Sequence, residues 1–174
     1  MKIFTMRKGL IIAFSWGALL LGGTVYIGVS AHANHRTTTP SGVSVRALAP
    51  TAQYDEIKSK AKDGNWEADI KTKGLSDLHV IEVTIQPGGT LGWHRHLGWS
   101  FVTVKSGTAT FYEADDPTCS PNVVTAGSSL FEPAGDMHIV KNEGTVPLVN
   151  VVVQLIPTGA PRLLSEPSPG NCPF

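Results

Sequence analysis

The sequence predicts an all-β domain, an antiparallel sandwich or barrel, behind an apolar leader. Three observations predict it. From Trp66 onward, short runs of strand-forming residues recur at 66–72, 78–86, 99–105, 108–113, 122–124, 129–132, 138–141 and 147–156. Between them lie turn clusters: Pro-Gly-Gly at 87–89, Ser-Gly at 106–107, Asp-Asp-Pro at 115–117, Ala-Gly at 126–127, Pro-Ala-Gly-Asp at 133–136 and Asn-Glu-Gly at 142–144. Short strands broken by such clusters are the pattern of antiparallel β architecture. The composition agrees, with only 16% charged residues against 18 glycines and 12 prolines in 174 residues. That balance suits turn-rich β structure better than a helical bundle, and 41% hydrophobic residues supply a core and exclude global disorder.

The elements follow in chain order. Lys2, Arg7 and Lys8 form a basic flank, residues 9–29 carry no charge, and Ala31-His32-Ala33 is a small-x-small site. This order reads as a signal peptide over residues 1–33, cleaved before Asn34. The uncharged run is also long enough to span a bilayer, so an uncleaved signal anchor is the alternative. Basic residues before the run and few after it place the following domain outside the cytoplasm in either case, secreted or anchored. Membrane contact is expected only if the leader stays on. The whole chain is neutral, but without residues 1–33 it keeps 11 basic against 14 acidic residues, a net charge of −3. Nothing in that balance suggests a nucleic-acid partner, which calls for a basic excess.

Residues 34–42 (NHRTTTPSG) are polar and read as a flexible linker. Residues 43–48 suit a short strand. Tyr54, Ile57, Lys58 and Ala61 sit at weak helical spacing, so 52–62 is a short helix or a loop. The barrel core is expected over 66–157 of a domain spanning 43–174. Residues 157–174 hold five prolines and suggest a tail extended over the surface. The chain has two cysteines, Cys119 and Cys172. Outside the cytoplasm such a pair reads as a disulfide, contributing about 4 kcal/mol in the chain-entropy model and stapling the tail to the domain.

The chemistry-bearing residues lie in two strands. His94 and His96 alternate in GWHRHLGWS, so on a strand both rings point to one face, with Ser100, Val102 and Val104 at the same parity. His138 lies in a later strand. Three neutral imidazoles converging from two strands suit Zn, Fe, Mn, Ni or Cu. Arg95 lies between the two histidines and by alternation points the other way. His79, alone in its strand, reads as a structural or surface residue. Trp93 and Trp99 bracket the pair and Phe111 and Tyr112 follow on the next strand; such aromatics line a pocket or pack a barrel. The pocket set is therefore Ser100, Trp93, Trp99, Val102 and Tyr112. No nucleophile elbow, P-loop or GxGxxG fingerprint is present.

These two segments resemble the paired motifs of the cupin superfamily. The first, G-x5-H-x-H-x3,4-E-x6-G, reads Gly88, His94, His96, then Ser100 in place of Glu, then Gly107. The second, G-x5-P-x-G-x2-H-x3-N, is complete as Gly127, Pro133, Gly135, His138 and Asn142. The resemblance spans roughly residues 75–157, and the short stretch between the motifs is similar to that of single-domain bacterial cupins. It implies a double-stranded β-helix, a jelly-roll barrel with its site inside, and one divalent transition metal on His94, His96 and His138, with iron the first choice. Cupins are often dimers, so a homodimer is an expectation from the resemblance.

Ser100 is a departure. A hydroxyl ligates metal poorly but hydrogen-bonds well. Three neutral ligands leave a formal +2 charge, which favours an anionic small molecule and frees a coordination position. Glu82, Glu113 and Glu132 are alternative carboxylates, each expected on the solvated outer face. Two functions follow: a small-molecule oxygenase, or a non-catalytic protein that binds a metal or a small anion.

Overall fold

The computed structural model describes residues 38–174; the leader and residues 34–37 lie outside the described residues. The strands are β1 (Ser41–Ala47), β2 (Ala52–Tyr54), β3 (Lys58–Asp63), β4 (Trp66–Lys71), β5 (Ser76–Arg95), β6 (Trp99–Ser106), β7 (Thr108–Glu113), β8 (Asn122–Thr125), β9 (Ser129–Glu132), β10 (His138–Lys141), β11 (Leu148–Pro157) and β12 (Leu164–Ser165). No helix occurs among the described residues. The pairings are antiparallel, and the main sheet runs β8-β7-β10-β5-β11-β6-β9, with β1, β2 and β12 also on β5. This nearly closed barrel is a double-stranded β-helix.

Strand β5 is the spine. Its first half pairs with β11 and β1, and its second half with β10. The cluster at 87–89 reads as a turn in the sequence, yet the strand runs through it and bends. Gly88 takes a positive φ of 74°, and β1 shifts register opposite the bend. A Cβ on Gly89 would stand 2.7 Å from the carbonyl of Ser41 and 2.8 Å from that of Gln86, so only glycine fits. The bend passes β5 from one side of the barrel to the other.

Asn142 locks that corner. Its backbone exchanges hydrogen bonds with Gly88 and Gly89 at 2.9 and 3.0 Å. Its Nδ2 donates to the carbonyls of Ile85 and Val146, both at 2.8 Å, and its Oδ1 accepts from Gly144 N. Gly88 and Asn142, which begin one motif and end the other, therefore meet in space.

The core follows strand alternation. In β6, Ser100, Val102 and Val104 are buried while Phe101 is exposed; in β11, Leu148, Asn150, Val152, Gln154 and Ile156 are buried. Of these, Val102, Val104, Leu148 and Val152 meet Ile81, Val83 and Ile85 of β5 and Phe111 of β7 in the main apolar cluster.

Three stretches differ from the sequence reading. Residues 52–62 hold β2 and most of β3, not a helix, and β3 pairs with β4 in a separate ribbon whose lysines are exposed. The main sheet thus takes in β1 and β2 and leaves out 66–71. Ser41 and Gly42, expected in the linker, belong to β1, and the hydroxyl of Thr38 accepts from Trp93 N at 2.5 Å. The proline-rich tail is extended, as expected, but it is also held: β12 pairs with His94 and Arg95, and Cys172 is disulfide-bonded to Cys119, 53 residues earlier.

Candidate metal centre

His94 and His96 enter the barrel from the end of β5, and His138 from β10, where it pairs directly with His94. All three are buried, and their ligand atoms lie within 4.8 Å of one another. Each Nδ1 faces a backbone carbonyl: His94 that of Gly92 at 2.8 Å, His96 that of Arg162 at 2.6 Å, His138 that of Asp136 at 3.1 Å. A carbonyl only accepts, so the Nδ1 of His94 and of His138 carries a proton and leaves Nε2 as the metal donor; at His96 the Gln154 amide also lies 3.1 Å from Nδ1, and Nε2 faces Glu132. This second layer of contacts fixes the tautomer that a metal requires. The Nε2 atoms of His94 and His138 are buried without a hydrogen bond. A divalent ion suits this donor set: among the described residues His94 Nε2 has no partner, and His138 Nε2 has only the Glu132 carboxylate at 3.4 Å.

Glu132 corrects one expectation. It is 7% exposed, not on the solvated face. Its Oε2 lies 3.2 Å from Nε2 of His96 and its Oε1 lies 3.4 Å from Nε2 of His138. Burial alone would raise its pKa, but the facing imidazoles hold it well below the ordinary carboxylate value. Burial likewise works against a charge on His138, yet Glu132 keeps its pKa above 6.5. His94 has no such compensation: burial, then the charge of His138, push it down to about 3. An ionised Glu132 beside a bound divalent ion would bring the formal charge from +2 to +1, which weakens the preference for an anionic ligand without removing it.

Glu82 and Glu113 stay on the outside as expected. Glu82 pairs with Arg46 at 2.9 Å and Lys105 at 2.8 Å. Glu113 is exposed at the end of β7. The His79 ring hydrogen-bonds Thr51 at 3.1 Å, away from the other histidines, and Arg95 points outward to Glu166 at 2.6 Å.

A cavity of about 420 Å³ opens over His94, His96 and Glu132. Its walls are apolar, with Ile81, Val83, Val102 and Val152, and two amides, Asn150 and Gln154. Pro40, Arg162 and Leu163 complete the wall from the chain's two ends. Of the expected pocket residues only Val102 lines this cavity. Ser100 is fully buried beside it, where its hydroxyl accepts from Gln154 Nε2 at 3.0 Å. Trp93 and Tyr112 pack with Ile139 and Cys172 under the tail, and Trp99 lines a separate surface groove. Alternation explains the three aromatics: Trp93, Trp99 and Tyr112 are the chain neighbours of the inward residues His94, Ser100 and Phe111.

Gln154 was missed, and Glu132, named as an alternative carboxylate, was expected on the wrong face, for different reasons. In β11 every outward residue from Val149 to Leu155 is also apolar, so no alternation marks the inner face. Glu132 becomes visible only once β9 is known to pair with β6, which sets it opposite Ser100.

Residues 81–154 match the family model of the cupin domain. A candidate mannose-1-phosphate guanylyltransferase of Vibrio cholerae is 32% identical over 108 residues, 59% of this chain but only 21% of that protein. The chain thus spans about a fifth of the curated relative it matches. Among solved structures, the polyketide cyclase RemF from Streptomyces resistomycificus superposes with a TM-score of 0.51 at 18% identity, over 77% of this chain and 80% of that one. A cupin superfamily protein from Desulfitobacterium hafniense gives 0.45 at 17%, over 66% and 77%.

Proposed function

We propose that the barrel is a member of the cupin superfamily, a reading supported by the match over residues 81–154 and by three buried histidines placed to hold a metal ion. From there we propose an exported cupin-fold protein that binds one divalent metal through His94, His96 and His138 and presents it to a small molecule, with oxygenase chemistry the leading reaction class. The observation that carries the reading is the convergence of the ligand atoms of three buried histidines, two of which, His94 and His96, line an apolar cavity of about 420 Å³. Imidazole nitrogens beside a carboxylate suit Fe(II), which makes iron the first metal to test. When bound, such an ion supplies Lewis acidity or oxygen activation. The protein's own part is positioning. The carbonyls of Gly92, Arg162 and Asp136 orient the rings, the valine and isoleucine walls exclude water, and Asn150 and Gln154 offer side-chain amides along the cavity's lining. A ligand that is largely apolar and carries hydrogen-bonding groups fits that lining. Export belongs to the proposal on the strength of the leader alone.

Metal content decides the first part. The full chain, refolded separately with Fe(II), Zn(II), Mn(II), Ni(II) or Cu(II), is expected to keep one ion, and His96→Ala to lose it. No stoichiometric ion with any of the five ends the proposal. Oxygen uptake by the loaded protein against thiols, diketones and flavonols tests the oxygenase class. Uptake with none of them assigns the barrel to binding without oxygen chemistry.

A further inference from the structure

We infer that Glu132 is the fourth protein ligand of the metal centre, a carboxylate carried across a strand pair to replace the one missing at Ser100. The inference rests on the metal-binding reading above and goes beyond it, since that reading needs only the three histidines.

Three observations converge. First, Ser100 on β6 and Glu132 on β9 are direct cross-strand partners. Partners on one face of an antiparallel pair have Cβ atoms about 4.5–5.5 Å apart. A glutamate at either position therefore reaches the same space inside the barrel. A serine at 100 is also small enough to leave that space to its partner, and its hydroxyl is occupied by Gln154.

Second, the distances are those of ligands sharing an ion. Two atoms each bound at about 2.1 Å stand roughly 3.0–3.4 Å apart in octahedral or tetrahedral geometry. The Glu132 oxygens lie 3.2 Å from Nε2 of His96 and 3.4 Å from Nε2 of His138. Those are the nitrogen atoms left free by the Nδ1–carbonyl hydrogen bonds.

Third, the burial has only the two imidazoles to account for it. A carboxylate at 7% exposure, with no lysine or arginine paired to it among the described residues, is costly to keep in a core. Structural carboxylates on this barrel take the other course: Glu82, on the outer face, is held by Arg46 and Lys105. Glu132 faces only the groups that would share its ion.

Cobalt(II), a spectroscopically visible probe, tests the assignment in the full chain. Wild type is expected to bind one Co(II), and a crystal structure of that complex to place a Glu132 oxygen at about 2.0–2.2 Å from the ion. Glu132→Gln is expected to weaken Co(II) binding by roughly 10- to 100-fold, by analogy with the loss of weaker contacts around metal sites, and to change the visible absorption band. The exchange variant Ser100→Glu/Glu132→Ser is expected to regain binding to within a few-fold of wild type, because the carboxylate returns to the same space from the other strand. Unchanged affinity and spectrum in Glu132→Gln, with binding lost in His96→Ala, would overturn the ligand assignment and leave the three-histidine reading standing. No Co(II) in wild type removes both. If the variants do not fold, the metal-loaded wild-type structure decides alone: a Glu132 carboxylate beyond 3 Å from the ion refutes the inference.

Discussion

The carbonyl of Arg162 lies 2.6 Å from Nδ1 of His96, across 66 residues of chain. A ring at the heart of the barrel is thus oriented by a backbone atom of the tail. The tail is kept in place by the pairing of β12 with His94 and Arg95, by Arg95–Glu166 at 2.6 Å, and by the disulfide at Cys172.

Cutting the staple should therefore register at the metal. The double variant Cys119→Ser/Cys172→Ser is expected to lose about 4 kcal/mol of stability, measured as a lower urea midpoint. Its metal affinity should also fall, by roughly tenfold, measured by competition with a chelator under conditions where it stays folded. Unchanged affinity would mean that β12 holds Arg162 without the disulfide.

The metal-free protein should be most stable near pH 6.5. His94 has a folded pKa of about 3 against an ordinary 6.5, so between those values the unfolded chain binds the extra proton. Stability therefore falls as pH drops below 6.5. His138 has a raised folded pKa, so its contribution is fully present below 6.5 and is lost as pH rises through the folded value. Urea midpoints from pH 5 to 9 should pass through a maximum. Saturating metal should abolish the alkaline fall, since the nitrogen that held the proton is then ligated. A monotonic rise across the range in the metal-free protein would contradict the Glu132–His138 pair.

Asn142→Ala should cost about 3 kcal/mol by equilibrium unfolding. The side chain is 1% exposed and makes three hydrogen bonds, two to the carbonyls of Ile85 and Val146 and one from Gly144 N. Each buried partner left unsatisfied costs about 1–3 kcal/mol, partly relieved by relaxation. A loss below about 1 kcal/mol would show that the corner holds through its backbone bonds alone.

Gly98→Ala should destabilise by about 1–3 kcal/mol. The added methyl would overlap the carbonyl oxygen of Leu155 and stand 2.9 Å from Cα of Ile156. It would push the start of β6 from β11, next to Ser100 and Gln154. Thermal melts of the variant against wild type measure the effect, and an unchanged midpoint would mean that β11 yields freely.

Much of this protein is local in origin and can be read along the chain. Turn clusters and strand runs announce an all-β barrel because each records the backbone preference of a few adjacent residues. The two-residue period places His94 and His96 on one face, and the same rule, applied to Trp93 and Trp99, sends them away from the cavity where they had been expected. The single strand through 87–89 was harder to see, since Pro-Gly-Gly marks a turn and a sheet-crossing bend equally well. What chooses between them is Asn142, which lies 54 positions beyond Gly88 and reaches it only in the folded barrel.

Glu132 and Arg162 lie at the far end of that scale. Alone in sequence, a glutamate reads as a solvated residue because burying an unpaired charge is costly, and only the pairing of β9 with β6 brings it opposite Ser100 and against two imidazoles. Arg162 contributes a carbonyl, an atom every residue has, so no side-chain pattern can mark it. The three histidines were written in the order of residues. The carboxylate that faces them, the carbonyl that aims one of them and the cavity above them came from strand pairing and a stapled tail, because long-range contacts decide which groups share a space.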